Sequence, residues 1–107
     1  MNRRIVFEGA SGAEYSYQPL SPEERLRPLA GNYVIARLSG GRPMLIAAGE
    51  TDNLSKMPWQ DLLSRAVILH GATDILVRLN VRGVIRQQEL EDLLDAYHPP
   101  MAMEQAA

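Results

Sequence analysis

Residues 31–54 read GNYVIARLSGGRPMLIAAGETDNL, and their pattern decides the fold. Two apolar runs, Tyr33–Leu38 and Met44–Ala48, flank the connector Ser39-Gly40-Gly41-Arg42-Pro43, which has the length and glycine content of a hairpin turn. In the first run Tyr33, Ile35 and Arg37 share one face, and Val34, Ala36 and Leu38 the other. In the second, simple alternation puts Leu45 and Ala47 on one face and Met44, Ile46 and Ala48 opposite. Both runs are apolar on both faces, which predicts a strand pair covered on each side. After Gly49, the polar turn Glu50-Thr51-Asp52-Asn53 leads into helical sequence. Asp52 or Asn53 is placed to cap a short turn ending near Met57.

Downstream, Pro58 opens a second helical stretch, Trp59–Leu69, in which Leu62, Leu63, Ala66, Val67 and Leu69 follow the helical period. His70-Gly71 is a helix C-terminus. Thr73–Leu79 alternates as a strand, with Ile75, Val77 and Leu79 facing one way and Asp74, Leu76 and Arg78 the other. Asn80–Gly83 forms a turn, and Val84–Tyr97 an amphipathic helix with Leu90, Leu93, Leu94 and Tyr97 in its stripe. Pro99 and Pro100 end it, and Met101–Ala107 is patternless. Upstream, Ile5–Phe7 and Glu14–Tyr17 predict a hairpin around Gly9–Gly12. Ser21-Pro22-Glu23-Glu24 predicts a short helix stopped near Arg27 by Pro28. The expected class is α+β: a small three-stranded antiparallel sheet flanked by helices, with an N-terminal β-hairpin extension. Residues 1–30 would form that extension, 31–102 the main unit and 103–107 a tail.

Composition narrows the function classes. A chain of 107 residues, 46% hydrophobic, carries one modest core. A net charge of −2 gives no global attraction to nucleic acid. Without cysteine there is no disulfide, thiolate nucleophile or Cys-ligated metal, which suits a reducing cytoplasm, the expected location. No apolar run reaches the roughly 18 residues of a membrane span. Glu8 cuts the N-terminal apolar segment too short for a signal peptide. His70 and His98, the two histidines, are too far apart in sequence to suggest a metal site or triad. Gly40-Gly41 is followed by strand, not helix, and so is not a phosphate loop.

The order of elements and their punctuation resemble the GIY-YIG endonuclease domain over about Gly31 to Ala102. Gly31-Asn32-Tyr33 looks like the first name motif, and Ala47-Ala48-Gly49 stands in the place of the second. Asp52-Asn53-Leu54 resembles the polar turn that follows. Gly71-Ala72-Thr73 is similar to the entry into the third strand, and Asp92-Leu93-Leu94 with Tyr97-His98-Pro99 to the domain end. The resemblance implies metal-dependent phosphodiester hydrolysis, with tyrosines around the attacking water, an Arg steadying the phosphate and a Glu holding the metal. Carried onto this chain, the first tyrosine is Tyr33, the second falls on Ala47, the Arg on Met57, the Glu on Leu90 and a terminal Asn on Ala102. Glu89 and Glu91 flank Leu90 but point about 100° away from it on a helix.

The expectation is therefore a catalytically inactive GIY-YIG-like domain without cofactor or metal, acting as a binding module. A protein partner or self-association is favoured over nucleic acid. The alternatives are an active Mg²⁺-dependent nuclease with a relocated site using Tyr33 and Glu89 or Glu91, and a small α+β adaptor unrelated to nucleases. Arg37, Arg42, Lys56 and Arg65 would lie near the DNA-binding side of such a domain. On an acidic chain they read first as ordinary surface charge.

Overall fold

The hairpin at residues 31–54 forms, and the rest of the chain is laid against it. The computed structural model describes residues 4–21, 25–39 and 41–101. Strands β1 (Ile5–Glu8) and β2 (Glu14–Pro19) make the first ribbon, and β3 (Gly31–Arg37) and β4 (Met44–Thr51) the central hairpin. A single 3₁₀ turn, Leu54–Lys56, leads to α1 (Gln60–His70), then β5 (Asp74–Leu79) and α2 (Gly83–Tyr97). The α+β class holds, but the sheet has five strands, not three, in the spatial order β1-β2-β5-β3-β4. Every neighbouring pair is antiparallel. The first ribbon joins the sheet because β5 would otherwise leave an unpaired backbone edge. Gln18↔Val77 and Pro19↔Leu76 close part of it, and the Leu20 N–H extends the seam to the Ile75 carbonyl.

A further correction concerns the segment before Gly31. Pro22, Glu23 and Glu24 of the expected short helix lie outside the described residues, and Arg25–Arg27 are not helical. Over Arg25–Arg27 the irregular chain lets Leu26 pack on the core beneath α1, and Pro28 bars a helix from continuing past it.

The sheet separates two cores. On one face Tyr33, Ile35, Ala47 and Ile75 pack with Leu54, Trp59, Leu62 and Ala66 of the connecting turn and α1. On the other, Val34, Ala36, Leu45, Ala48 and Leu76 pack with Phe7, Tyr17 and with Leu90 and Leu93 of α2. The second strand departs from simple alternation. Ile35 faces Ala47 while Ala36 faces Leu45, so Ile46 is an extra residue, a β-bulge. Leu45 and Ala48 consequently share the α2 face, and Ile46 and Ala47 the α1 face. The bulge carbonyl turns outward and accepts the Met101 N–H at 3.2 Å, so the chain after α2 straps the β4 edge. In α1 the buried stripe ends at Ala66. Val67 and Leu69, expected inside, are exposed together with Ile68.

Candidate functional site

Gly31 begins β3 where nothing larger fits. A Cβ there would stand 2.5 Å from the Arg78 carbonyl oxygen and 2.7 Å from Leu54 Cδ1. Two residues on, Tyr33 is buried on the α1 face, its ring 5.2 Å from that of Trp59 at a 53° tilt. Burial, and secondarily the Glu50 charge, push its phenol above the ordinary value. Ala47 lies buried in the same core. Met57, with φ of 48°, closes the 3₁₀ turn in a left-handed conformation and packs against that core. Leu90 is elsewhere: it projects from α2 into the core on the opposite face. Tyr33, Ala47 and Met57 are thus gathered on one side of the sheet, and Leu90 sits on the other. Ala102 lies outside the described residues.

The four cations are dispersed. Arg37 ends β3, where its side chain passes Gly71, and Arg42 follows in the hairpin connector. Lys56, in the 3₁₀ turn after β4, is at the opposite end of the sheet. The intervening seven residues of β3 span about 20 Å. Arg65 is exposed midway along α1.

What the structure does assemble is a polar network between α2 and the sheet, which sequence reading did not find. Arg86, buried in the first turns of α2, donates from Nε to Glu50 Oε1 at 2.7 Å. Its Nη1 donates to the carbonyls of Asn80 and Val81 at 3.2 and 3.1 Å. Asn32, with no exposed surface, donates from Nδ2 to the Arg86 carbonyl and accepts on Oδ1 from Asn80 Nδ2. Asn80 also donates to Glu89 Oε1, which Arg78 Nε meets at 2.9 Å. Arg78 extends the chain to the Ser16 carbonyl and lies over the Tyr15 ring, 5.6 Å from its centroid. The Glu89 hydrogen bond, the first of the causes, raises the Arg78 pKa. The signal was the position of Arg86, four residues before Leu90 and hence in line with the apolar stripe.

Glu89, a carboxylate of the relocated-site alternative, is therefore committed to Arg78 and Asn80 on the face away from Tyr33. Glu91 is exposed. Among the described residues no group of three or more His, Cys, Asp or Glu side chains is arranged to hold a metal ion. The Tyr17 hydroxyl is buried without a hydrogen-bond partner among the described residues, and burial raises its pKa.

Asp92 fastens the first ribbon to α2. It accepts from the Ser11 amide at 2.9 Å, from the Ser11 hydroxyl at 2.7 Å and from the Tyr15 hydroxyl at 2.7 Å. Those hydrogen bonds, the Tyr15 one foremost, hold its carboxyl below the ordinary value of 3.8. A depressed folded-state pKa gives stability that is complete above the unfolded value and lost as pH falls through the folded one. Acid titration should accordingly loosen the β1–β2 ribbon below the ordinary Asp range. Amide exchange at Ser11 checks this, and Asp92→Asn should remove the acid dependence of that protection; unchanged acid dependence in Asp92→Asn refutes the assignment.

Compared with protein-family models, curated proteins and solved structures, the chain finds no match.

Proposed function

We propose that this chain is a non-catalytic interaction module of GIY-YIG-like layout whose partner is a protein, a second copy included. The layout rests on β5 beside β3, with α1 connecting β4 to β5 and α2 following. The observation that carries the loss of catalysis is the placement of the equivalent positions. Ala47 and Leu90 are sealed in two cores on opposite faces, with the sheet between them. A metal ligand at position 90 could not share a pocket with the Tyr33 hydroxyl. The carboxylates closest to such a role, Glu50 and Glu89, are ion-paired with Arg86 and Arg78. A protein partner fits the surface better than nucleic acid does. Arg37 and Arg42 lie at one end of the sheet and Lys56 at the other, so they form no single basic patch for a phosphate backbone.

The test is incubation with plasmid, branched and single-stranded DNA in Mg²⁺ or Mn²⁺. The expected result is no cleavage above buffer and no binding isotherm at physiological salt. Metal-dependent cleavage that Tyr33→Phe abolishes would overturn the proposal.

A further inference from the structure

The two edges of the sheet are not equivalent. The β4 edge is strapped by Met101, whereas among the described residues the outer edge of β1 meets only the Tyr97 hydroxyl. The Gly9 N–H donates to the Ala13 carbonyl at 2.8 Å, which sets the alternation of the ribbon. Ile5, Phe7 and Gly9 turn their backbone groups toward β2, so Arg4, Val6 and Glu8 turn theirs outward. The Tyr97 hydroxyl meets one of these outward groups, the Glu8 N–H, at 3.1 Å. The N–H and C=O of Val6, the Arg4 N–H and the Glu8 C=O have no partner among the described residues. The side chains divide the same way: Phe7 is buried on the α2 face, while Arg4, Glu8 and Val6, the last 50% exposed, lie on the other.

From this edge we infer that the chain forms a homodimer by antiparallel pairing of β1 with β1 of a second copy, about a two-fold axis through Val6. This names the surface and the partner for the interaction module proposed above and rests on that reading. Charge selects the occupant. About an axis at Val6, residue 4 of each copy lies opposite residue 8 of the other, so Arg4 meets Glu8 twice. Within one chain Glu8 is paired across the ribbon with Glu14, two like charges side by side. Neither Arg4 nor Glu8 has an ion-pair partner among the described residues. A second copy supplies the missing cation to the Glu8–Glu14 pair, and a shift by one residue in either direction removes the match. The central ladder consists of reciprocal Val6 N–H to Val6 C=O bonds, flanked by Arg4 N–H to Glu8 C=O and Glu8 N–H to Arg4 C=O bonds, the Tyr97 hydroxyl yielding the Glu8 N–H on pairing. An interface this short makes a weak dimer that salt weakens further.

Sedimentation velocity of the full chain over a concentration series reads the association, with thermal unfolding confirming that each variant folds. Concentration-dependent dimerisation is expected. Arg4→Glu or Glu8→Arg alone should weaken it about tenfold or more, because each substitution creates two repulsive pairs, and the double exchange should restore it. Val6→Pro, which deletes an outward N–H without touching the β1–β2 ladder, should abolish it. A chain that stays monomeric to about 1 mM overturns the inference. So does a dimer indifferent to both single reversals, or one that the double exchange fails to restore. A monomeric result leaves the interaction-module reading standing, since that reading is decided by the cleavage and DNA-binding assays.

Discussion

Trp59→Ala should lower the unfolding free energy by about 3–5 kcal/mol and Tm by roughly 15–25 °C. Trp59 precedes α1, is 2% exposed and is among the largest fully buried side chains of the chain. It sits where the connecting turn, α1 and the central hairpin converge, against Tyr33 and beside Leu54 and Leu62. Its truncation leaves a cavity that the surrounding strands, held by pairing on both sides of β3, are poorly able to close. Tyr33→Phe is the control. It keeps the ring against Trp59 and removes a hydroxyl that has no hydrogen-bond partner among the described residues, so it should change stability by less than about 1 kcal/mol. Thermal and denaturant unfolding of the two variants measures both effects. A Trp59→Ala loss below about 1 kcal/mol would mean that α1 is not seated by this core.

How much of this was legible in the residues varies with the locality of the interactions. The β3–β4 hairpin, β5 and α2 follow from short-range patterns, and the faces of β3, β5 and α2, though not of β4, fall as alternation and helical period require. The bulge at Ile46 left no mark, because Ile46 and Ala47 are both apolar and either order of facing satisfies a strand covered on both sides. The join of β2 to β5 rests on Gln18 and Pro19 meeting residues nearly sixty positions away, and no local motif announces it. Val67 and Leu69 carry the right spacing for burial, yet the sheet offers α1 no surface beyond Ala66. Periodicity reports what a helix could bury, and tertiary contact decides what it does bury. The same limit governed the candidate site. The residues at 33, 47, 57 and 90 were identified from a one-dimensional resemblance, which is silent on which face of the sheet each one reaches. Glu50 and Arg86 are 36 positions apart and become partners only through the fold.

Arg86→Met should destabilise the chain by about 2–4 kcal/mol, and more than Glu50→Gln does. Arg86 occupies a stripe position of α2 at 9% exposure, where an apolar side chain of similar length would ordinarily be an acceptable substitute. Here the guanidinium has three duties at once: it holds Glu50, and it satisfies the carbonyls of Asn80 and Val81 in the turn entering α2. Methionine matches the volume but leaves a carboxylate and two carbonyls without their donor. Glu50, at 29% side-chain exposure, recovers part of its solvation, which places the expected cost below that of breaking a fully buried pair. Glu50→Gln keeps an acceptor for Nε and both carbonyl bonds, and should cost about 1 kcal/mol. The double variant then separates the two contributions. If the ion pair dominates, the coupling energy approaches the Glu50→Gln loss. If the turn carbonyls dominate, the losses add and Arg86→Met remains the larger by the same margin. Denaturant unfolding supplies the three values. A loss below about 1 kcal/mol in Arg86→Met would show that the apolar contacts of Leu90 and Leu93 seat α2 on the sheet without help from the network.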